Sequence, residues 1–405
     1  MVKESSSYKW VVLAIATIAQ ASACFFVQGF GSIAINVKQA LSLSDWQIGL
    51  LVSAAQLVPL LGLLIAGELL DRYSERYVVG LGTMLVGVSL CGAGMANSYN
   101  VVLTMLLVLG LGYSTAQPGG SKSVSGWFKN SQLGFAMGLR QAGLPFGGAV
   151  ATLLLPYVAL KYSYKEAFLF SGIVACLGAL LFMAFYRTPA PTVTREKKVS
   201  SFKTAAMARL SMAAEPSMIN IMLTGASLTA AQYGISIFLV LYLHSTVGLP
   251  VEVATKMFFV VLGFGVMGRI LLAIWSDKCN LGRIFPVLAC LLGTAIALII
   301  LPFISAGNEF VLIVFMAFTG FFSYGWYGPW VAYIADTAPA DRKGFALGMA
   351  MTANQVGVIL VPPTIGFIKD YFGTYTYGWS GLAAVCMLVL FNVSRRGALR
   401  APIMP

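Results

Sequence analysis

Long apolar stretches separated by short polar breaks recur along the whole chain. Each stretch has the length of about 20 residues that an α-helix needs to cross a bilayer. The pattern therefore predicts an all-α polytopic membrane protein with twelve membrane-spanning helices. We number these spans 1 to 12 in chain order: 9–35, 46–70, 77–97, 100–127, 133–160, 165–187, 216–244, 251–275, 283–304, 308–334, 344–369 and 374–394.

One polar break is much longer than the others and lies near the middle of the chain. Residues 188–215 contain Pro189, Pro191 and a basic run from Arg195 to Lys198. Such a segment cannot lie in hydrocarbon, because its charges would be unpaired there. It predicts a cytoplasmic linker between two six-helix bundles, residues 1–187 and 216–405.

Composition and charge placement agree with a membrane protein. The chain has 405 residues, of which 59% are hydrophobic, and a soluble chain of this size could not bury that much apolar surface. Of the 26 Lys and Arg residues, 19 lie on one side of the predicted spans, 5 on the other and 2 inside spans. This excess predicts that both termini are cytoplasmic and that the protein lies in the inner membrane. The net charge of +12 is explained by this asymmetry across a lipid bilayer. We therefore expect no nucleic-acid partner.

Cysteine and histidine are too sparse and too scattered for covalent or metal chemistry. The six cysteines form no closely spaced pair, and the single histidine is His244. Disulfide, zinc and Ser/His/Asp arrangements are all excluded on this basis. We therefore expect no enzyme, no metal and no cofactor.

The two halves of the chain repeat each other. The segment Leu133–Gly138 matches Lys343–Gly348 at an offset of 210 residues, and Asp71 matches Asp277 at an offset of 206. Both copies begin on the same side of the membrane, so the repeats are parallel. Transporters use such repeats by rocking one against the other around a central site.

The loop after span 2 carries the clearest family resemblance. Residues Gly67, Asp71, Arg72 and Arg76 match a loop motif of the major facilitator superfamily, whereas Ser74 and Glu75 depart from it. The resemblance covers nearly the whole chain and implies two pseudo-symmetric six-helix bundles. It also implies a cytoplasmic gate, in which Asp71 faces the start of span 11 and Asp277 faces the start of span 5. The residues expected to form this gate are Asp71, Arg72, Asp277 and Lys278.

Two arginines lie inside apolar spans. Arg269 is in span 8 and Arg140 is in span 5, and neither has a carboxylate nearby in its own span. Because a charge in the bilayer costs about 2.5 kcal/mol or more, it usually faces a cavity and has a function. Each lies roughly 10–12 Å from the cytoplasmic end of its span. An anion is the simplest partner for both.

The residues around Arg269 strengthen that interpretation. The segment Gly268–Lys278 is similar to span 8 of the organic-anion branches of the superfamily, including the monocarboxylate and oxalate/formate carriers. The resemblance implies that Arg269 binds a substrate carboxylate and that spans 5 and 8 meet between the halves. The alternative is that each arginine caps a helix carbonyl or pairs with a gate acid, with nearby glycines placing it in a close-packed face.

Other polar and aromatic residues are candidates for the same site. Lys122 either adds a third cation to the path or extends to the membrane interface. Tyr324 and Tyr327 lie near glycines in span 10, where a helix can bend around a ligand, whereas Trp330 is interpreted as an interfacial anchor. Polar residues deep in the remaining spans complete the candidate substrate site: Gln28, Tyr113, Gln117, Tyr233, Asn354 and Gln355.

The distribution of acids limits how transport is driven. All 14 acids lie at span ends or in loops, so no protein-borne proton site is visible. Anion exchange, uniport, and symport in which the proton travels with the substrate all remain open. We predict a monomeric secondary transporter of a small organic anion, driven by exchange or proton symport. The alternatives are an efflux pump for hydrophobic compounds and a sensor that uses the carrier fold.

Overall fold

The computed structural model describes residues 7–128, 130–188, 215–338 and 343–398. Within these ranges the chain is helical, with short 3₁₀ turns at Phe30–Ser32 and Leu301–Phe303. The α-helices are α1 Tyr8–Gly29, α2 Ala34–Ala40, α3 Asp45–Arg72, α4 Glu75–Gly94, α5 Tyr99–Ser125, α6 Asn130–Lys161, α7 Tyr164–Phe185, α8 Pro216–Ser245, α9 Val251–Lys278, α10 Ile284–Ile300, α11 Glu309–Gly325, α12 Tyr327–Thr337, α13 Lys343–Phe372 and α14 Thr376–Ala398.

Every predicted span coincides with a helix, which confirms the all-α membrane fold. Among the described residues, 11 helical segments are long and apolar enough to cross a membrane, and α3 adds a 28-residue helix at span 2. The linker lies almost entirely outside the described residues, and the division into two bundles stays a prediction. We call residues before the linker the N-terminal half and those after it the C-terminal half.

Span 10 is divided into two α-helices. Helix α11 ends at Gly325 and α12 begins at Tyr327. Pro329 explains this interruption, because it has no N–H to donate to the Gly325 carbonyl and its ring crowds that carbonyl. The interruption falls beside Tyr324 and Tyr327, where the sequence predicts a bend.

The prediction that Trp330 anchors the chain at the membrane interface is wrong. Its side chain is fully buried, and its Nε1 donates a hydrogen bond of 2.9 Å to the carbonyl of Ile221 in α8. A buried indole needs such a partner for its N–H. Trp330 is therefore part of the core of the C-terminal half.

The two halves pack closely at one face of the molecule, which we call the far face. Helix α3 begins at this face and α13 ends there, whereas α1 begins and α14 ends at the opposite, terminal face. Glycines permit the contact: a Cβ on Gly49 would lie 2.5 Å from the backbone of Pro362. Gly366 and Gly31 likewise lie against the backbone of Asp45 and Ser236. The far face is therefore closed by direct contact between helices of the two halves.

A polar cluster, which we call the far-face clasp, joins the halves at the same place. It consists of Lys38 and Asp45 of the N-terminal half and Asp370 and Tyr375 of the C-terminal half. The Asp370 carboxylate accepts hydrogen bonds from the backbone N–H groups of Asp45 (3.0 Å) and Trp46 (2.8 Å). The Asp45 carboxylate accepts from the Tyr375 hydroxyl at 2.8 Å and pairs with Lys38 at 2.6 Å.

The gate residues whose side chains are described form ion pairs only within their own half. Arg72 pairs with Glu68, and both side chains are largely exposed. Asp277 pairs with Arg283 at 3.0 Å rather than with the start of span 5. Lys278 is exposed, and the side chain of Asp71 lies outside the described residues. Among the described side chains, the gate thus makes no bond between the halves in this conformation.

Candidate functional site

A cavity lies between the two halves at the depth of Arg269. Its volume is about 110 Å³, enough for roughly ten water molecules or a small solute of similar size. Both halves contribute to its wall. The lining residues are Gln28, Gln56, Pro59, Tyr113, Ser114, Gln117 and Leu144 from the N-terminal half, and Thr229, Gln232, Tyr233, Arg269, Trp326, Tyr327, Met351, Asn354, Gln355 and Val358 from the C-terminal half.

Most of the substrate-site candidates that the sequence indicates line this cavity. Those that do are Arg269, Tyr327, Gln28, Gln117, Tyr113, Tyr233, Asn354 and Gln355. Arg140, Lys122 and Tyr324 do not form part of the wall. That these lining residues bind a substrate remains a prediction.

Arg269 is the charged residue of the cavity. Its Nε donates to the Tyr324 carbonyl at 3.1 Å, and its Nη1 donates to the Gln141 carbonyl at 2.8 Å. The guanidinium carbon lies 5.6 Å from the centre of the Tyr327 ring. The remaining nitrogen, Nη2, has no hydrogen-bond partner among the described residues, so its two N–H groups are left for a ligand, together with the second N–H of Nη1.

Local sequence explains why these two carbonyls are free to accept. In α6 the carbonyl of Gln141 would normally bond to the N–H four residues later, but that residue is Pro145, which has none. The carbonyl of Tyr324 lies in the last turn of α11, where helical carbonyls lack partners. Arg269 thus binds one carbonyl freed by a proline and one freed by a helix end. The Gln141 contact joins the two halves.

Arg140 lies behind the cavity wall rather than in it. Its Nη2 donates to Gln20 Oε1 (3.1 Å) and to the carbonyls of Ala116 (3.3 Å) and Gln117 (2.8 Å). Its side chain is fully buried and lies against Gly120, where a Cβ would be 2.7 Å from Nε. Nε and Nη1 have no partner among the described residues. Arg140 therefore leaves an uncompensated positive charge close behind the site.

Lys122 and Tyr324 are engaged elsewhere. Lys122 pairs with Glu75 at 3.0 Å and donates to the carbonyl of Leu70, both near the terminal face. Tyr324 is fully buried, and its hydroxyl bonds to Ser236. The sequence gives the depth of these residues but not the neighbours that engage them, so both lie outside the cavity.

Several lining residues were not among the sequence candidates. Thr229 precedes Tyr233 by one helical turn and so shares its face, and Gln56 is an amide inside an apolar span, as Gln28 is. The same criteria would have selected these two. Gln232, an amide inside span 7, meets the same criterion as Gln56. The others have no distinguishing pattern: Pro59, Ser114, Leu144, Trp326, Met351 and Val358.

The electrostatics of the cavity are simple. Among its described lining residues there is no Asp, Glu or His, and Arg269 is the one charged group. Six of them carry side-chain amides, which both donate and accept hydrogen bonds. The arrangement can bind an anion, whereas it offers no acid–base pair for catalysis.

Comparison with known proteins places this architecture in a family. The family model described as Major Facilitator Superfamily matches residues 16–362 and 280–401. The cis,cis-muconate transport protein of Acinetobacter baylyi is 24% identical over 83% of this chain and 81% of its own length. The hexuronate transporter of Bacillus subtilis is 22% identical over 89% of this chain and 88% of its own length.

A solved structure gives the same fold. The nucleoside transporter NupG superposes with a TM-score of 0.75, covering 95% of this chain and 99% of its own. The sequence identity is 12%, so this likeness concerns the fold alone.

Proposed function

Because the chain belongs to the major facilitator superfamily, we propose that it is a secondary active transporter that moves a small organic anion by alternating access. The observation that carries this proposal is the free Nη2 of Arg269 in a cavity whose described wall holds no carboxylate. A guanidinium binds a carboxylate through parallel hydrogen bonds. An anion is therefore the ligand that this cavity accepts best.

The relatives support an anionic substrate. Muconate and hexuronates, named for the two relatives above, are both carboxylates. Arg140 supports the proposal in a different way, since its buried charge also lacks a carboxylate partner among the described residues. We assign Arg269 to direct contact with the anion, and Arg140 to the positive field of the site and to the placement of Gln117.

Anion binding at Arg269 would be linked to movement of the halves. Arg269 belongs to the C-terminal half, and its Nη1 holds a carbonyl of the N-terminal half. A substrate that competes for this guanidinium changes a contact between the halves, which is the differential interaction that a conformational change requires. The gate residues Asp71, Arg72, Asp277 and Lys278 would then close the terminal face once the far face opens.

The proposal includes orientation and coupling. The positive excess at the terminal face supports placing that face in the cytoplasm and the protein in the inner membrane. Because the described wall has no Asp, Glu or His, the driving step would be exchange for another anion or symport of a proton carried with the substrate. We propose a monomer as the transporting unit.

The test is thermal stabilisation of the purified protein by mono- and dicarboxylates, inorganic anions and neutral drugs. A ligand at 100 times its dissociation constant adds about 2.7 kcal/mol of stability. We expect a carboxylate to stabilise the wild type and not Arg269→Ala, with Arg269→Lys intermediate because lysine lacks the planar fork. Arg395→Ala, at an exposed arginine beside Phe391, is the matched control.

The same experiment tests the efflux alternative. If only neutral or hydrophobic compounds stabilise the protein, and Arg269→Ala responds as the wild type does, Arg269 is structural and the anion proposal is wrong. An efflux pump for hydrophobic compounds would then be the better description.

A further inference from the structure

We infer that the cavity contains a subsite for hydroxyl groups, so that the transported anion is a polyhydroxylated carboxylate rather than an unsubstituted one. This inference rests on the proposed function and narrows its substrate class. The relatives leave the choice open, because hexuronates carry hydroxyl groups along the carbon chain and muconate carries none. The chemistry of the cavity wall distinguishes the two.

The subsite is defined by buried polar atoms without partners. Four such atoms belong to lining residues: Gln28 Oε1, Gln56 Nε2, Thr229 Oγ1 and Asn354 Oδ1. Each residue is at most 7% exposed. They lie on α1, α3, α8 and α13, so each half contributes two. We call these residues the hydroxyl quartet.

Unpartnered atoms at this depth are unusual. The large majority of buried side-chain polar atoms in folded proteins have a hydrogen-bond partner, and each exception needs an explanation. A ligand that supplies the missing bonds on arrival explains four exceptions around one cavity. The amide torsions of Gln28 and Asn354 are broad and roughly two-fold, so little energy is needed to turn these two groups toward a ligand. Gln56 is held instead, because its Oε1 accepts from Gln355 Nε2 at 3.1 Å, and only its Nε2 is left without a partner.

The remaining amides of the wall are already engaged. Gln355 Nε2 donates to the Gln56 carbonyl at 2.7 Å, and Gln232 Oε1 accepts from Trp326 Nε1 at 2.9 Å. Gln117 Oε1 accepts from Gln141 at 3.3 Å. These contacts hold the shape of the wall, whereas the four unpartnered atoms of the quartet are left for the ligand.

The missing bonds match a hydroxyl group. Gln28 Oε1 and Asn354 Oδ1 accept, Gln56 Nε2 donates, and Thr229 Oγ1 does either. A hydroxyl both donates and accepts, so a row of hydroxyls satisfies all of these atoms. An unsubstituted carbon chain satisfies none, and a site built for hydroxyls rejects an analogue that lacks them. The carboxylate binds Arg269, and the hydroxyls bind the quartet.

Three ligands separate the two parts of the inference. Galactarate and adipate share the carbon chain length and both carboxylates and differ in the hydroxyls of galactarate, whereas galactitol keeps the hydroxyls and lacks the carboxylates. We expect the full-length purified protein to bind galactarate at least about tenfold more tightly than adipate in calorimetry, since several hydrogen bonds distinguish them. Galactitol should bind weakly, because it has no group for Arg269.

Two near-isosteric variants test the quartet itself. Thr229→Val and Asn354→Leu remove the polar atoms and keep the side-chain size. Each should lower galactarate affinity while adipate affinity stays unchanged, which also shows that the variants are folded. Thr294→Val is the matched control, because its Oγ1 is buried without a partner but lies outside the cavity; it should leave both affinities unchanged.

The outcomes distinguish this inference from the proposed function. If adipate binds as tightly as galactarate, or if Thr229→Val weakens both ligands equally, the hydroxyl subsite is wrong and anion transport stands. If galactitol binds as tightly as galactarate, the anion proposal is wrong and hydroxyl recognition stands. If none of the three binds, the hydroxyl subsite is wrong, and the wider panel of carboxylates described above decides the anion proposal.

Discussion

Replacing Asp370 should open the far face. In this structure the Asp370 carboxylate, from the C-terminal half, accepts from the first two N–H groups of α3 in the N-terminal half. Ser44, the N-cap of α3, satisfies the next free donor, the N–H of Gln47, at 3.2 Å. Asp370 thus completes the cap of a helix in the other half. When the far face opens, these bonds must break.

The size of the effect follows from helix capping. Removing a cap costs about 1 kcal/mol, with a range of 0.5–2, and an anion near a helix N-terminus adds about 0.3–1 kcal/mol. Because Asp370 is exposed, water replaces part of what is lost. We therefore expect Asp370→Ala to destabilise the far-closed conformation by about 1.5 kcal/mol, which shifts the ratio of closed to open molecules about tenfold.

Double electron–electron resonance spectroscopy, which measures the distance between two spin labels, reports this ratio of closed to open molecules. Spin labels at Tyr162 and Phe303, which are 63% and 82% exposed and lie at the far face in opposite halves, would report the separation of the halves. The labels require a protein without its six native cysteines. Asp370→Ala should increase the population with the longer distance. Asp336→Ala, which removes an acid paired with Arg283 at the terminal face, should not.

An unchanged distance distribution would refute this reasoning. The far face would then be held closed by the packing of α3 against α13 alone, through contacts such as Gly49 against Pro362. An equal change in Asp336→Ala would also refute it, because the effect would then reflect net charge and not the cap.

Two further substitutions test the contacts around the cavity. Pro145→Ala gives the Gln141 carbonyl a donor within its own helix, so the guanidinium of Arg269 becomes more available to an anion. Anion affinity measured by calorimetry should then rise about fivefold, which is the effect of one hydrogen bond. A weaker affinity would contradict this. Lys122→Ala leaves the buried Glu75 carboxylate without its cation and should lower the unfolding temperature by the equivalent of about 1 kcal/mol, while anion affinity stays unchanged. An additional Glu75→Gln substitution should restore part of the lost stability.

The fold could be predicted from sequence because the bilayer leaves few choices. Every backbone polar group in hydrocarbon must be bonded internally, so a long apolar stretch must form a helix there. The same logic selected Arg269, since an isolated charge in such a stretch needs a cavity or a polar partner. In both cases one strong energetic term outweighs the details of the neighbours.

Arg140 shows where that logic stops. Its sequence context resembles that of Arg269, yet it lies on the carbonyls of Ala116 and Gln117. Two features decide this, and neither is visible in a pattern of hydrophobic residues. One is the room that Gly120 leaves for the guanidinium, and the other is the rotation of α6 about its own axis. The sequence gives the depth of a residue along a membrane helix, but the packing of neighbouring helices decides toward which neighbours its side chain points.

Proline placement connects the fold to the way in which Arg269 would respond to an anion. Pro145 frees the Gln141 carbonyl in one half, and the interruption of span 10 before Pro329 leaves the Tyr324 carbonyl free in the other. A carboxylate bound with two parallel hydrogen bonds must use Nη2 together with either Nη1 or Nε. Nε has a single N–H, so a carboxylate there replaces the Tyr324 carbonyl, whereas Nη1 has two and shares itself between the carboxylate and the Gln141 carbonyl.

A carboxylate that draws Nη1 toward itself weakens the bond to Gln141, which joins the halves, whereas one that takes the single N–H of Nε replaces a bond inside the C-terminal half. Only the first directly alters the balance between conformations. A carboxylate that enters between the halves meets the Nη1–Nη2 edge of the guanidinium first, because Nε is nearest the helix that carries Arg269. Binding and release of the contact between the halves would then be one event, and the empty carrier would keep that contact.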